Sequence, residues 1–219
     1  MREREELWNV DRGLRRFAAA AFHPLGWGLA QLMSPNSITL LSAALSAATG
    51  YFFAVGRFFL GAWLMLAAGL LDIWDGQVAK LTGRVSLLGA FLDSTVDRVS
   101  DMFYSFGALY FFVADGVHDV ALMIAGYIFL STMISYVKAR AEGLGLACSG
   151  GLLARPLRML LFGFPLYIFG VVGNLWVFRG ALILCLVLGM ETFVRRLLMV
   201  VRDASRKDLS PSEPLEIGG

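Results

Sequence analysis

Four aspartates lie close together in a chain that is otherwise strongly apolar. They are Asp72, Asp75, Asp93 and Asp97, and hydrophobic residues make up 58% of the 219 residues while charged residues make up 16%. An aspartate at the centre of a bilayer costs roughly 2.5–3.5 kcal/mol on insertion scales. Because four such costs require compensation, the group predicts a cationic partner. The plainest candidate is a divalent metal ion that meets a phosphate-bearing substrate.

The spacing of the first two aspartates places them on one face of a helix. Asp72 and Asp75 are three residues apart, and the small residues Gly76 and Ala79 continue the same face. Residues without bulk allow a ligand or a second backbone to approach closely. This stripe therefore predicts a binding surface with carboxylates beside open space.

A second stripe follows after a tight turn at Thr82-Gly83. Asp93 and Asp97 are four residues apart, and Gly89 precedes Asp93 by one helical turn. The turn allows the two stripes to face each other, so the four carboxylates would repel strongly unless cations lay between them. Two Mg²⁺-type ions bridged by shared carboxylates would relieve this repulsion and would hold a diphosphate.

The composition predicts an all-α integral membrane protein. The six predicted membrane helices lie at about 37–56, 58–80, 86–113, 120–141, 155–173 and 175–201. An amphipathic helix on the membrane surface is predicted before them, at about 7–33. Residues 1–203 therefore form one predicted membrane domain, and the polar tail at 204–219 is predicted to be disordered.

Lysine and arginine are concentrated at alternate joints of the predicted bundle, where a joint is the loop between two consecutive membrane helices. They precede the first membrane helix, flank the second and fourth joints and follow the last helix, whereas the opposite joints contain only Arg57 and Arg179. By the positive-inside rule, both termini are predicted to be cytoplasmic. The carboxylate group straddles the second joint, so the site is predicted on the cytoplasmic side of a cell membrane.

The spacing from Asp72 to Asp97 is that of a longer motif. It is Asp-x2-Asp-Gly-x2-Ala-Lys-x8-Gly-x3-Asp-x3-Asp, and it resembles the signature of the CDP-alcohol phosphotransferase family, which usually has arginine at the position of Lys80. The resemblance implies a membrane enzyme, working as a homodimer, that transfers a phosphatidyl or archaetidyl group from a CDP-linked lipid to a polar alcohol. CMP is the second product, the donor is CDP-diacylglycerol or CDP-archaeol, and no nucleic-acid partner is expected.

The resemblance also implies roles for individual residues. The metal ligands would be Asp72, Asp75, Asp93 and Asp97, holding Mg²⁺ or Mn²⁺, and Asp97 would also take the proton of the attacking alcohol. The residues that would contact the CDP-lipid are Asn36, Thr39, Asp72, Gly76, Ala79 and Lys80. Lysine keeps the positive charge at this last position but lacks the bidentate hydrogen bonding of arginine.

Cations at three predicted cytoplasmic helix ends suit an acceptor that itself carries a phosphate. The run from Tyr136 to Gly145 resembles the inositol-phosphate branch of the family. By that resemblance Lys138, Arg155 and Arg196 would bind the acceptor phosphate, and the acceptor is predicted to be inositol 1-phosphate. Glycerol 3-phosphate is the alternative acceptor with the same chemistry, and free serine is less favoured because it offers no phosphate.

Two other classes of protein fit the acidic group less well. An aspartate-rich prenyltransferase also binds diphosphate through metals, but it needs two well-separated motifs and more helices. A cation-coupled transporter would spread its carboxylates around the membrane midplane and often has an internal repeat. Here the aspartates are concentrated at one joint, so the phosphotransferase is the prediction, and the lipid tail and the choice of metal stay open.

Overall fold

A computed structural model of the chain describes residues 33–84, 86–148 and 150–208, without the side chains of Lys80, Leu81 and Asp208. These residues form six α-helices and no strand. The helices are α1 (Pro35–Ala54), α2 (Phe58–Leu81), α3 (Leu87–Ala114), α4 (His118–Gly143), α5 (Arg155–Val172) and α6 (Leu175–Asp208). The predicted surface helix at about 7–33 lies outside the described residues except for Met33.

The helices confirm the predicted all-helical membrane class. Five stretches are long and apolar enough to cross a membrane: Pro35–Ala54, Phe58–Ala79, His118–Gly143, Arg155–Val172 and Leu175–Lys207. The remaining helix, α3, has 28 residues and a length of about 42 Å at 1.5 Å per residue. It is not among these five, and its residues 93–101 include four charged ones, Asp93, Asp97, Arg98 and Asp101. The chain is a multi-pass membrane protein, and the charged part of α3 contributes to the candidate site.

Large apolar side chains point outward from several helices. Leu122 on α4 and Trp176 on α6 are 76% and 75% exposed, and Phe129 and Leu198 are exposed as well. Water would disfavour so much apolar surface, whereas lipid tails cover it without cost. This exposure fits a helical bundle that lies in a bilayer.

The last helix is longer than the sequence pattern predicts. It ends at Asp208, so residues 204–208 of the predicted disordered tail are helical, and residues 209–219 lie outside the described part of the chain. Asp203 accepts a hydrogen bond from the Ala147 amide at 3.0 Å. Lys207 donates to the Gly145 carbonyl at 2.6 Å. These contacts with the α4–α5 loop stabilise the final turns, and they join residues too distant in sequence for a local pattern to reveal.

The chain divides into two compact units. The first is Met1–Leu45 with Ala67–Asp97, and the second is Ser46–Leu66 with Arg98–Gly219. Each unit therefore contains part of α1, α2 and α3, and α4, α5 and α6 belong wholly to the second. The four predicted metal ligands all lie in the first unit, and the predicted acceptor cations all lie in the second.

The core of the second unit is aromatic. Tyr127 on α4 stacks on Phe162 of α5 with ring centroids 4.8 Å apart, and Phe112 on α3 stacks on Phe178 of α6 at 5.7 Å. All four rings are almost completely buried. Aromatic rings packed in this way contribute beyond their buried area. They fix the relative orientation of the helices that present the basic residues of this unit.

Candidate active site

Three of the four predicted metal ligands come together in the first unit. Asp72 and Asp75 lie near the end of α2 and Asp93 lies near the start of α3, and one carboxylate oxygen of each lies within 4.8 Å of the other two. Asp75 is buried, Asp72 is half-buried and Asp93 is exposed. Asp97, half-buried one turn after Asp93 on α3, lies outside this group of three.

The most buried of these carboxylates is held by a hydroxyl from α1. Thr39 Oγ1 lies 2.5 Å from Asp75 Oδ2 and 3.1 Å from the Pro35 carbonyl oxygen. Because the hydroxyl has one proton, it donates to one of these acceptors at a time, and the shorter distance is to the carboxylate. Thr39 is itself buried, so the structure places it as the residue that orients Asp75. A direct contact between Thr39 and a CDP-lipid stays a prediction.

The electrostatics of this group favour a cation. Two carboxylate charges within 4.8 Å of each other repel by roughly 3 kcal/mol or more at an effective dielectric constant of about 20. The donor set consists of carboxylate oxygens alone, which is the chemistry that Mg²⁺ and Mn²⁺ prefer. Asp72, Asp75 and Asp93 therefore fit a divalent metal centre, and an ion there would remove the repulsion.

Open space lies beside the carboxylates on α2. A Cβ atom built on Gly76 meets no atom of the described residues within 4 Å. Packing therefore does not explain this glycine, although glycine inside a helix costs about 1 kcal/mol relative to alanine. A role of Gly76 in leaving room for the CDP-lipid stays a prediction.

Asn36, which is predicted to contact the CDP-lipid, lies close to Gly89 at the start of α3. A Cβ atom on Gly89 would lie 3.6 Å from Asn36 Oδ1 and 3.1 Å from Ser86 Oγ. Ala79 is half-buried on α2, and Lys80 belongs to the same helix. The first unit thus contains every residue predicted for the donor lipid.

A second polar cluster lies in the second unit, centred on Asp101 of α3. Its carboxylate lies between two guanidinium groups, with Arg155 Nε 3.6 Å from Oδ1 and Arg158 Nη2 3.5 Å from Oδ2. Tyr104 and Ser131 donate hydroxyl hydrogen bonds to the same two oxygens, at 2.8 and 3.3 Å. We call these five side chains the Asp101 cluster.

The predicted acceptor cations lie in and around this cluster. Arg155 is a member, and Arg196 on α6 donates to the Ile134 carbonyl at 2.9 Å and to the Gly150 carbonyl at 3.1 Å. Arg158 reaches the residue next to Ile134, with Nη2 3.5 Å from Ser135 Oγ. The contacts of Arg158 and Arg196 with consecutive residues of α4 link both arginines to one place in the unit.

The third predicted cation is engaged differently. Lys138 lies one turn beyond Ile134 on α4, and its Nζ atom lies 3.7 Å from Glu142 Oε1 on the same helix. Both of these side chains are at least half exposed, so the pair adds little stability. Lys138 therefore keeps the solvent access that a phosphate-binding lysine needs.

The sequence interpretation assigned no role to Asp101, and it counted Arg158 among the cations at the helix ends without including it in the three residues predicted to bind the acceptor phosphate. Asp101 continues the four-residue spacing of Asp93 and Asp97, and Arg158 follows Arg155 by three residues. These spacings could have drawn attention to both residues, because each spacing places charged side chains on one face of a helix. What the sequence lacks is any sign that the two faces meet.

Comparison with known proteins bears on both units. The family model described as CDP-alcohol phosphatidyltransferase matches residues 32–191. The phosphatidylinositol phosphate synthase of Mycobacterium marinum is 37% identical over 147 residues, which is 65% of this chain and 62% of that protein. The protein with the same description in Mycobacteroides abscessus is 32% identical over 82% of each chain. The archaetidylinositol phosphate synthase of Methanothermobacter thermautotrophicus is 34% identical over 75% of this chain and 80% of its own length.

Solved structures agree with this sequence similarity. The crystal structure of Mycobacterium tuberculosis phosphatidylinositol phosphate synthase with CDP-DAG bound has a TM-score of 0.74 and 30% identity, covering 81% of this chain and 92% of that chain. The structure of the same enzyme in complex with manganese and citrate has a TM-score of 0.75 and 29% identity, with coverage of 81% and 88%. The shared fold extends over both compact units.

Proposed function

This chain belongs to the CDP-alcohol phosphatidyltransferase family, and we propose that it transfers a phosphatidyl group from a CDP-linked lipid to inositol 1-phosphate with release of CMP. The observation that carries the proposal is the grouping of Asp72, Asp75 and Asp93 with oxygens within 4.8 Å of one another. The relatives named for phosphatidylinositol phosphate and archaetidylinositol phosphate synthesis support this acceptor. They do not support glycerol 3-phosphate.

The first unit binds the donor in this proposal. Asp72, Asp75 and Asp93 hold the divalent cations, Thr39 keeps Asp75 in its orientation, and Gly76 leaves room for the diphosphate. When bound, the cations neutralise the diphosphate charge and polarise the lipid-side phosphorus. A CDP-DAG-bound relative of 30% identity supports the choice of donor, whereas a diether donor stays possible in chemical terms because both lipids share the CDP group.

The reaction is a displacement at the lipid-side phosphorus. The acceptor hydroxyl oxygen forms a new bond to this phosphorus, and the bond from phosphorus to the bridging oxygen of CMP breaks. CMP leaves with the electron pair of that bond, and the hydroxyl proton passes to a carboxylate oxygen of Asp97. Because an aspartate is a weak base, the proton transfers late in the displacement.

The second unit binds the acceptor. Arg155 and Arg196 present guanidinium groups, and Lys138 presents an ammonium group, to the phosphate of inositol 1-phosphate. Guanidinium groups form charge-assisted hydrogen bonds with phosphate, often in pairs. Arg155 also lies at the first turn of α5, where the helix dipole favours an anion. A free alcohol without a phosphate would offer these cations no anionic group to bind.

The metal, the orientation and the assembly are further parts of the proposal. We assign two ions, Mg²⁺ or Mn²⁺, because the relative from Mycobacterium tuberculosis was solved with manganese and because two ions best balance clustered carboxylates. We place both termini and the site in the cytoplasm because lysine and arginine are concentrated at those joints. We assign a homodimer by analogy with the family, and its test is the mass of the protein in detergent.

The decisive experiment measures CMP release by the purified protein in detergent with CDP-diacylglycerol and Mg²⁺. Inositol 1-phosphate, glycerol 3-phosphate, inositol and serine are offered separately, and the Asp75→Asn variant is the matched control. Release with inositol 1-phosphate alone, lost in the variant, is the expected result. Release with glycerol 3-phosphate alone would overturn the acceptor, and no release with any acceptor, including trials with a diether donor, would overturn the proposed activity.

A further inference from the structure

A buried carboxylate of the second unit has no direct part in the proposed reaction. Asp101 is 9% exposed and accepts a hydrogen bond from Tyr104 Oη to Oδ1 at 2.8 Å. Ser131 Oγ donates to its other oxygen at 3.3 Å. Two hydroxyls on two helices therefore fix the plane of the carboxylate. A carboxylate held this firmly can in turn fix the groups that face it.

Two arginines face this carboxylate from the first turns of α5. Arg155 Nε lies 3.6 Å from Oδ1, and Arg158 Nη2 lies 3.5 Å from Oδ2. The Arg155 side chain is 21% exposed and that of Arg158 is 5% exposed. Each carboxylate oxygen thus has one hydroxyl and one guanidinium as neighbours. Arg158 is therefore the more deeply buried arginine, and it also approaches Ser135 Oγ at 3.5 Å. Arg155 is the more accessible one.

The two arginines of this cluster differ in how accessible they are to a ligand. Asp101 contributes one negative charge, and Arg155 and Arg158 contribute one positive charge each, because arginine stays protonated in proteins. Arg155 is 21% exposed and Arg158 is 5% exposed, so an anionic ligand can approach the guanidinium of Arg155 more readily. A carboxylate repels phosphate, so Asp101 acts on a phosphate only through an arginine.

We propose that Asp101 is a positioning residue for the acceptor: it holds the guanidinium of Arg155 in the orientation that binds the phosphate of inositol 1-phosphate. This inference rests on the proposed function and deepens it. Arg158 contacts the carboxylate from the buried side, and Tyr104 and Ser131 fix its plane. The guanidinium of Arg155, oriented by this carboxylate, binds the ligand. The cluster therefore sets the affinity for the acceptor and leaves the donor untouched.

The test is a steady-state comparison of Asp101→Asn and Tyr104→Phe with the unaltered protein. We expect Asp101→Asn to raise the KM for inositol 1-phosphate by about tenfold or more, as loss of an orienting partner does elsewhere. Tyr104→Phe keeps the ring and every charge, and we expect it to raise the same KM by a smaller factor. For both variants we expect kcat and the KM for CDP-diacylglycerol to stay within about twofold.

A merely structural role for Asp101 would give a different pattern. If either folded variant changes both KM values equally, changes kcat alone or changes nothing, the inference is wrong. Should Asp101→Asn fail to fold, Tyr104→Phe is judged by the same criteria. Asp119→Asn is the matched control, since Asp119 forms an exposed ion pair with Arg179 at 2.9 Å and its loss should leave all constants unchanged.

Failure of the inference and failure of the proposed function are distinguishable. If the unaltered protein releases no CMP with inositol 1-phosphate, the proposed function fails and the inference fails with it. If the unaltered protein is active and the acceptor KM of either folded variant is normal, only the positioning role of Asp101 is overturned.

Discussion

At the scale of single residues, the aspartate group of the first unit depends on how one carboxylate is oriented. Asp75 is the most buried of the three grouped aspartates, and the hydroxyl of Thr39 lies 2.5 Å from it. A buried carboxylate without such a donor would be free to rotate away from a metal ion. The hydrogen bond therefore supports metal binding without any contact between Thr39 and the metal.

Replacing Thr39 with valine should weaken the metal centre. The two side chains have nearly the same shape, so Thr39→Val removes the hydroxyl and leaves the packing. We expect the Mg²⁺ concentration needed for half-maximal CMP release to rise by about 10- to 100-fold. Thr39→Ser, which keeps a hydroxyl, is the control and should behave much more like the unaltered protein. An unchanged Mg²⁺ requirement in the valine variant would contradict the role of Thr39.

Replacing Asp97 with asparagine should separate binding from chemistry. The amide cannot accept the proton of the acceptor hydroxyl, so we expect CMP release to fall by at least about 10²-fold. Binding of CDP-diacylglycerol should be largely kept, because Asp97 lies outside the group formed by Asp72, Asp75 and Asp93. Asp115→Asn, at an exposed position in a loop, is the control. Normal turnover in Asp97→Asn would remove Asp97 from the reaction.

At the scale of elements, close approach of backbones shapes the second unit. A Cβ atom on Gly107 of α3 would collide with the carbonyl group of Gly50 on α1, and its distance to the Gly50 Cα atom would be 2.7 Å. A Cβ atom on Gly50 would collide with the backbone of Phe103 in turn. The two helices can lie this close only because both residues lack a side chain.

Adding one methyl group at this crossing should destabilise the fold. For Gly107→Ala we expect a loss of about 1–3 kcal/mol in the free energy of unfolding, because backbone atoms cannot move aside as a flexible side chain does. The measurement is thermal unfolding in detergent. Gly180→Ala on α6 is the control, since a Cβ atom there meets no described atom within 4 Å. This control should keep or raise the Tm, because alanine favours the helix by up to about 1 kcal/mol.

The α4–α5 loop shows a second way in which an element shapes the second unit. Side chains of α6 bond to the backbone of this loop along its length, with Thr192 accepting from the Leu153 amide at 3.1 Å and Arg196 donating to the Gly150 carbonyl at 3.1 Å. Asp203 and Lys207 continue the series toward the start of the loop. The loop leads into α5, so α6 helps to determine where Arg155 begins its helix.

At the scale of the whole molecule, bound metal should be linked to folding stability. The grouped aspartates repel one another in the folded state, so an ion that binds only the folded protein stabilises it by mass action. Because these aspartates come from two helices, the ion also joins α2 to α3. Removal of metal should therefore weaken the fold as well as stop catalysis.

This linkage is measurable as a shift in thermal unfolding. At a Mg²⁺ concentration 100 times its dissociation constant, the folded state should gain about 2.7 kcal/mol relative to protein in EDTA. The Tm should rise accordingly, and CMP release should be absent in EDTA and return with added Mg²⁺. In Asp75→Asn the Mg²⁺-dependent rise in Tm should be much smaller. Equal Tm values with EDTA and Mg²⁺ in the unaltered protein would argue against a metal centre at these residues.

Much of this molecule is determined by local sequence. The six helices follow from apolar runs of spanning length, and their bounds agree with prediction to within a few residues except at the end of α6. The approach of Asp72, Asp75 and Asp93 follows from helical spacing on either side of a short turn. These features were predictable because helix length, helix face and a tight turn all depend on residues that are near one another in the chain.

Other features were decided only by tertiary structure. Thr39 and Asp75 are 36 residues apart, and nothing local shows that the Thr39 hydroxyl orients a carboxylate. Asp101 contacts Arg155 and Arg158 because one face of α3 packs against one face of α5. The sequence pattern of either helix alone does not specify this packing. The physical reason is that periodicity identifies which side chains share a face, whereas packing of distant helices decides which faces meet.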